Sequence, residues 1–333
     1  MTTVVASDSR AWRSLSHRQQ TRLRADKDFA LLSDPPRGRA VEVRSADGTR
    51  IHTEVFGPED GYPIVLSHGI CCALRFWTYQ IAELSSDFRV IAFDHRGHGH
   101  SGRPAADGYT FARLGDDLDA VLRHTVRPGE RAVIAGHSMG GIAIQSWASH
   151  HPENVGRYAE AAALINTAGG ELLPRLPLPV HGPAGAQALD RITRVAASAI
   201  GSLPFPPRSP LRAQLLDPVT VGRQASPAVR AAVREMILTT PTATRRRFLR
   251  GLSGLRYTDH DPADLAVPTV VIGSESDRLL PFPHSRRIES RLPVSLGLIQ
   301  LSGGHCGPLE QPGRITDLLR DLARRAGKLT TTA

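Results

Sequence analysis

The chain is predicted to fold as a layered α/β protein, with a mostly parallel sheet covered by helices on both faces. Three observations carry that expectation. Short apolar, β-favouring runs alternate with helical patterns from residue 63 to 168, and again from 257 to the end. The run Ala132–Ala135 leads into Gly136-His137-Ser138-Met139-Gly140 and then into a helical pattern (Ile142, Ile144, Trp147, Ala148), so strand, sharp turn and helix follow in order. Between the two alternating stretches, residues 169–256 hold 11 of the 25 prolines and only short helical patches, the mark of an insertion over one end of the sheet.

These boundaries divide the chain into a polar arm at 1–34, a core at 35–168, an inserted cap at 169–256 and the rest of the core at 257–333. In the arm, Trp12, Leu15, Leu23 and Phe29 are scattered among charges, enough for a helix or two. Val41 to Val55 alternates on both sides of Asp47-Gly48, a hairpin signal. Strands are expected at 63–66, 88–93, 132–135, 161–165, 268–272 and 296–301. Helices are expected at 74–84, 110–126, 187–200, 226–239, 283–291 and 313–326.

With 333 residues and 41% hydrophobic content the chain has ample material for a core, and no apolar run is long enough to cross a bilayer. The first nine residues lack a secretory pattern. Three cysteines, the adjacent Cys71 and Cys72 and the distant Cys306, do not make a disulfide framework, so a reducing cytoplasm is the expected setting. The net charge of +9 comes almost wholly from arginine, and residues 171–256 alone carry 13 Arg against four acidic residues. Only Phe205 and Phe248 there could stack on bases, which argues against nucleic acid. A solvated basic face, or attraction to an anionic substrate or lipid surface, accounts for the excess.

The turn at Ser138 is read as a nucleophile elbow, in which a strained backbone holds the hydroxyl clear of the chain and Gly136 and Gly140 make room for close packing. A serine hydroxyl needs a base, and the base needs an orienting acid. His305, in the Gly-rich loop Ser302–Pro308, is the candidate base. Asp277, just after the strand at 268–272, is the candidate acid, with Glu275 as runner-up. All three fall at the carboxyl edge of the sheet, where open α/β sheets bind ligands. The oxyanion donors expected are the N–H groups of Met139 and Ile70, with Gly69 allowing close approach. His137 and His68 are read as structural. The tract Asp94-His95-Arg96-Gly97-His98-Gly99-His100-Ser101 offers three alternate histidines but no separated partner ligands, so it is read as a tight turn and not as a metal site.

Taken together, Ser67-His68-Gly69, the Asp94–Ser101 tract, Gly136–Gly141, Gly273–Asp277 and Gly304-His305 resemble the α/β-hydrolase fold family, serine esterase and lipase-like branch. The resemblance covers residues 40–325. It implies an eight-stranded sheet, a helical cap after the sixth strand, Ser138, Asp277 and His305 as triad, and no cofactor. Ser138 at the elbow departs from the epoxide hydrolases and haloalkane dehalogenases of this fold, which use Asp there. The expected activity is cleavage of small to medium carboxylic esters through an acyl-serine. C–C bond hydrolysis or acyl transfer on the same triad is the enzymatic alternative, and a hydrolase-fold protein that only binds a ligand is the alternative of another class.

Overall fold

The structure, a computed structural model, describes residues 21, 23–170, 217–256 and 259–331. Eight strands form one sheet in the order β1-β2-β4-β3-β5-β6-β7-β8. They are β1 Arg39–Arg44, β2 Arg50–Phe56, β3 Pro63–Ser67, β4 Arg89–Phe93, β5 Ala132–His137, β6 Ala159–Ile165, β7 Thr269–Ser274 and β8 Ser295–Leu301, with helix α1 at Phe29–Ser33 and α5 at Pro152–Tyr158. The β1–β2 hairpin turns at Asp47-Gly48, and β2 pairs antiparallel with both β1 and β4; every other pairing is parallel. The expected class and strand count are both borne out.

Parallel strands need covering on both sides, and their sequences show it. In β3 and β5, Ile64, Leu66, Val133 and Ala135 enter one core, packed by α2 (Thr78–Leu84) and by Ile315 and Leu319 of the C-terminal helix that starts at Pro312. Val65 and Ile134 enter the opposite core, packed by α3 (Phe111–Thr125), α4 (Met139–His150) and Ile288 of the helix Pro283–Glu289. The pattern Leu114, Leu118, Val121, Leu122 that predicts α3 is wholly buried, and Thr110 caps the helix by accepting from the Arg113 N–H.

Between β6 and β7 the described part of the inserted segment holds α6 (Pro227–Thr239), close to the expected span, and α7 (Thr242–Ser253), which its charged sequence did not announce. The helix expected at 187–200 lies outside the described residues. Among the described residues, some arginines of the segment have partners within the protein. Arg234 pairs with Asp217, and buried Arg245 donates to the carbonyls of Ile237 and Thr240. The end of the N-terminal arm is also tied in. Leu23 and Leu32 are buried, and Asp26 accepts from the Ala228 N–H in the first turn of α6.

Candidate active site

Ser138 sits between β5 and α4 at φ 52° and ψ −119°, a region L-residues rarely occupy. Packing forces the turn. A Cβ on Gly140 would come within 2.2 Å of the Ser67 carbonyl oxygen, and one on Gly136 within 2.6 Å of Gly140 backbone atoms. Strand β3 therefore lies hard against the start of α4. The loop after β3 follows it over the elbow, since a Cβ on Gly69 would meet the Ser138 Cβ at 3.1 Å. Ile70, next in that loop, packs against the apolar cluster that contains Met139. Met139, first residue of α4, has no intrahelical acceptor, and among the described residues neither its N–H nor that of Ile70 donates to a backbone carbonyl.

The loop carrying Ile70 is fastened by the Asp94–Ser101 tract. The His95 N–H donates to His68 Nε2, the Cys71 N–H to His98 Nε2, and the Leu74 N–H to Asp94 Oδ1 at 2.6 Å. His68 and His98 are neutral donors on their other nitrogens, to the Gly69 and Arg96 carbonyls. Burial pushes His68 well down and His98 down to about 4. Arg96 anchors the tract through Asp117 and Asp47. The expected tight turn is thus a latch for the Ile70 loop. Cys71 stands at φ 58°, and burial raises its thiol to about 12 and that of Cys72 further, leaving both as protonated packing groups.

Asp277 and His305 are brought together. His305 Nδ1 donates to Asp277 Oδ2 at 2.8 Å, and both side chains are buried. The other carboxylate oxygen accepts from the Leu279 and Leu280 N–H groups, and Asn166 Nδ2 donates to Oδ2 alongside His305. Burial alone would raise this carboxyl, but the His305 imidazole and these donors outweigh it and hold Asp277 below the usual aspartate range. Glu275, the runner-up acid, is exposed and accepts from Gln300. The link from the Ser138 hydroxyl to the His305 ring is not closed by a hydrogen bond among the described residues. The described contact between the two segments runs through the neighbouring residue. His137, one residue before the serine, lies 4.8 Å from the His305 ring and donates from Nε2 to the His305 carbonyl at 2.8 Å.

Three residues that shape the site escaped the sequence reading. Asn166 follows β6 at φ 45°, a conformation asparagine tolerates, and its place directly after a predicted strand was the available signal. Phe248 of α7 is fully buried against Tyr109, Leu114, Met139 and Ala143, with Ile70 at the edge. Glu310 accepts from three backbone N–H groups around His305. Nothing local in sequence marked either of the last two.

A family model described as alpha/beta hydrolase fold matches residues 62–312, and the chain belongs to that family. It is 35% identical over 117 residues to the provisionally named carbamate hydrolase RutD of Caulobacter sp., a match covering 34% of this chain and 42% of that protein. The chain thus spans about two fifths of that relative. Against the protein of the same name from Rhizobium rhizogenes it is 26% identical over 83% of this chain and 99% of the other. Among solved structures, a thermophilic esterase from Thermogutta terrifontis superposes with a TM-score of 0.67 at 24% identity, covering 86% of this chain and 99% of that one. The enol-lactonase from Burkholderia xenovorans does so at 0.67 and 23% identity, covering 84% and 98%. At these identities the structural likeness concerns the fold. Among the described residues no helix is long and apolar enough to cross a membrane.

Proposed function

We propose that this chain is a serine hydrolase that cleaves small to medium carboxylic esters through an acyl-serine intermediate. The observation that carries the reading is the buried Asp277–His305 pair, whose backbone is tied by His137 to the strand end that carries a serine at positive φ. With Nδ1–H committed to Asp277, the His305 lone pair is on Nε2, the nitrogen free to accept a proton. Ser138 attacks the acyl carbon while His305 takes its proton. The tetrahedral oxyanion is held by the Met139 and Ile70 N–H groups, and His305 then returns the proton to the leaving alcohol. Water, deprotonated by the same imidazole, releases the acid and regenerates the serine. The mechanism requires the Ser138 hydroxyl to come within hydrogen-bond reach of Nε2, and catalytic hydrogen bonds of this kind often tighten only when substrate binds.

Residues 169–256 act in this reading as a cap that sets the acyl pocket. The relatives' names extend the substrate panel to lactones and carbamates, both of which present an acyl carbon to the same nucleophile. The test is turnover of p-nitrophenyl acetate, butyrate and octanoate together with labelling by a fluorophosphonate probe. Wild type should turn over and label at Ser138, and Ser138→Ala should do neither. Turnover retained by Ser138→Ala would remove the serine from the mechanism.

A further inference from the structure

We infer that Glu310 is a positioning residue for His305 and the point at which the cap is keyed to the imidazole; the inference rests on the serine-hydrolase reading above. Glu310 ends the short helix Gly307–Glu310. Its carboxylate turns back to accept from the Cys306 N–H at 3.0 Å on one oxygen, and from the Gly304 N–H at 2.9 Å and the Gly222 N–H at 2.8 Å on the other. The first bond alone would be an ordinary helix cap. The second lies on the other side of His305, so the backbone is held at both neighbours of the proposed base. The third comes from the inserted segment, 88 residues away in sequence.

The packing at this point leaves little slack. A Cβ on Gly304 would fall 2.3 Å from the Gly222 nitrogen, and one on Gly222 would fall 2.5 Å from the Glu310 carboxylate. The two glycines therefore meet backbone to backbone, with one anionic group serving both. Three N–H donors converging on a carboxylate make charge-assisted bonds that a neutral amide cannot reproduce. In Glu310→Gln the NH₂ end must face at least one N–H, whichever way the side chain turns. The imidazole then loses its fixed placement while Asp277, Ser138 and the substrate pocket keep theirs. A movement of the cap at Gly222 reaches His305 through the same carboxylate.

The experiment compares Glu310→Gln, Gly222→Ala and Ser138→Ala with wild type in p-nitrophenyl butyrate kinetics, fluorophosphonate labelling rate and thermal melting. Glu310→Gln should lower kcat by about 10- to 100-fold, as expected for a misplaced catalytic group. KM should stay within about twofold, and labelling should slow in step with kcat. Gly222→Ala should lower kcat in the same direction and also change KM, because it shifts the cap. A folded Glu310→Gln protein with wild-type kcat overturns the inference. If Glu310→Gln does not fold, wild-type kcat in Gly222→Ala overturns it instead. Should Ser138→Ala keep its turnover, the serine-hydrolase reading itself fails. An inactive Ser138→Ala beside a fully active Glu310→Gln would sink only the role given to Glu310.

Discussion

His137 donates from Nε2 to the carbonyl oxygen of His305 across 168 residues of chain, at 2.8 Å, so the residue before the elbow serine holds the backbone of the proposed base. The same ring stacks on Phe76 at 4.4 Å. Burial pushes His137 down to about 3, which keeps it neutral and leaves Nε2–H available as donor. His137→Phe should retain the stacking and lose the bond. The unpaired His305 carbonyl then costs about 1–3 kcal/mol of stability, measurable by urea denaturation, and kcat should fall by about tenfold or more. A variant as stable and as active as wild type would show that the contact contributes nothing.

Asp277→Asn tests the orientation of the imidazole separately from its placement. The carboxylate holds Nδ1–H, and its depressed pKa keeps it charged from neutral pH down past the ordinary aspartate range. An amide at this position can donate to Nδ1 and favour the wrong tautomer, which should lower kcat by about 10³- to 10⁴-fold with little change in KM. The Leu279 and Leu280 N–H groups can still be accepted by the amide oxygen, so the fold should survive. Circular dichroism and ester turnover on the same preparation decide it. A loss of less than tenfold would mean that Asp277 does not set the tautomer.

Much of this arrangement was legible in the residues. The order of strands and helices follows from runs such as Val133–Ala135 and from the spacing of Leu114, Leu118, Val121 and Leu122, because burial on two faces leaves a strong local pattern. The turn at Ser138 and the meeting of Asp277 with His305 were legible because each residue sits in a turn whose glycines or strand end announce it. What stayed hidden is what depends on contacts made at long range. The carbonyl of His305 held by His137, the carboxylate of Glu310 reaching Gly222, and Phe248 of a highly charged helix lying over Met139 have no periodic signature. Helix α7 was missed for the same reason: Arg245-Arg246-Arg247 reads as a solvated run, yet Arg245 is buried on backbone carbonyls.

Acid should destabilise the fold from below neutral pH. His68, His95, His98, His137 and His260 are all buried, and burial pushes each imidazole down: His95 and His137 to about 3, His98 and His260 to about 4, His68 well below its usual range. In the unfolded chain each takes up a proton near pH 6.5. The folded state binds fewer protons below that point, so the stability is fully present above about pH 6.5 and is lost as pH falls toward 4. Each histidine contributes a slope of about 1.4 kcal/mol per pH unit in that window. Asp94 and Asp117, raised by burial, act in the opposite sense but are fewer and begin from a lower pKa. Urea midpoints at pH 7.5, 6.5 and 5.5 should fall steeply only across the last interval. A flat profile would mean that these rings are not held neutral.

In the proposed reading, the acyl chain lies where the inserted segment and the core meet on apolar terms. Phe248 closes over Met139 and Ile70, the two residues whose N–H groups the mechanism assigns to the oxyanion, and its ring packs against Tyr109 and Leu114. Thr244, one turn earlier on α7, donates to the Gly97 carbonyl at 3.1 Å, so the helix is pinned where Phe248 enters. Truncation in Phe248→Ala removes the ring without disturbing that anchor. It should cost about 3–5 kcal/mol of stability, as large aromatic deletions do, and open a space that a longer acyl chain can fill. Each added methylene buried there is worth on the order of 1 kcal/mol. If one to two methylenes are buried there, the ratio of kcat/KM for p-nitrophenyl octanoate to that for the acetate should rise by about tenfold. If the ratio stays at its wild-type value while the protein is destabilised, Phe248 is core packing alone and the acyl chain runs elsewhere.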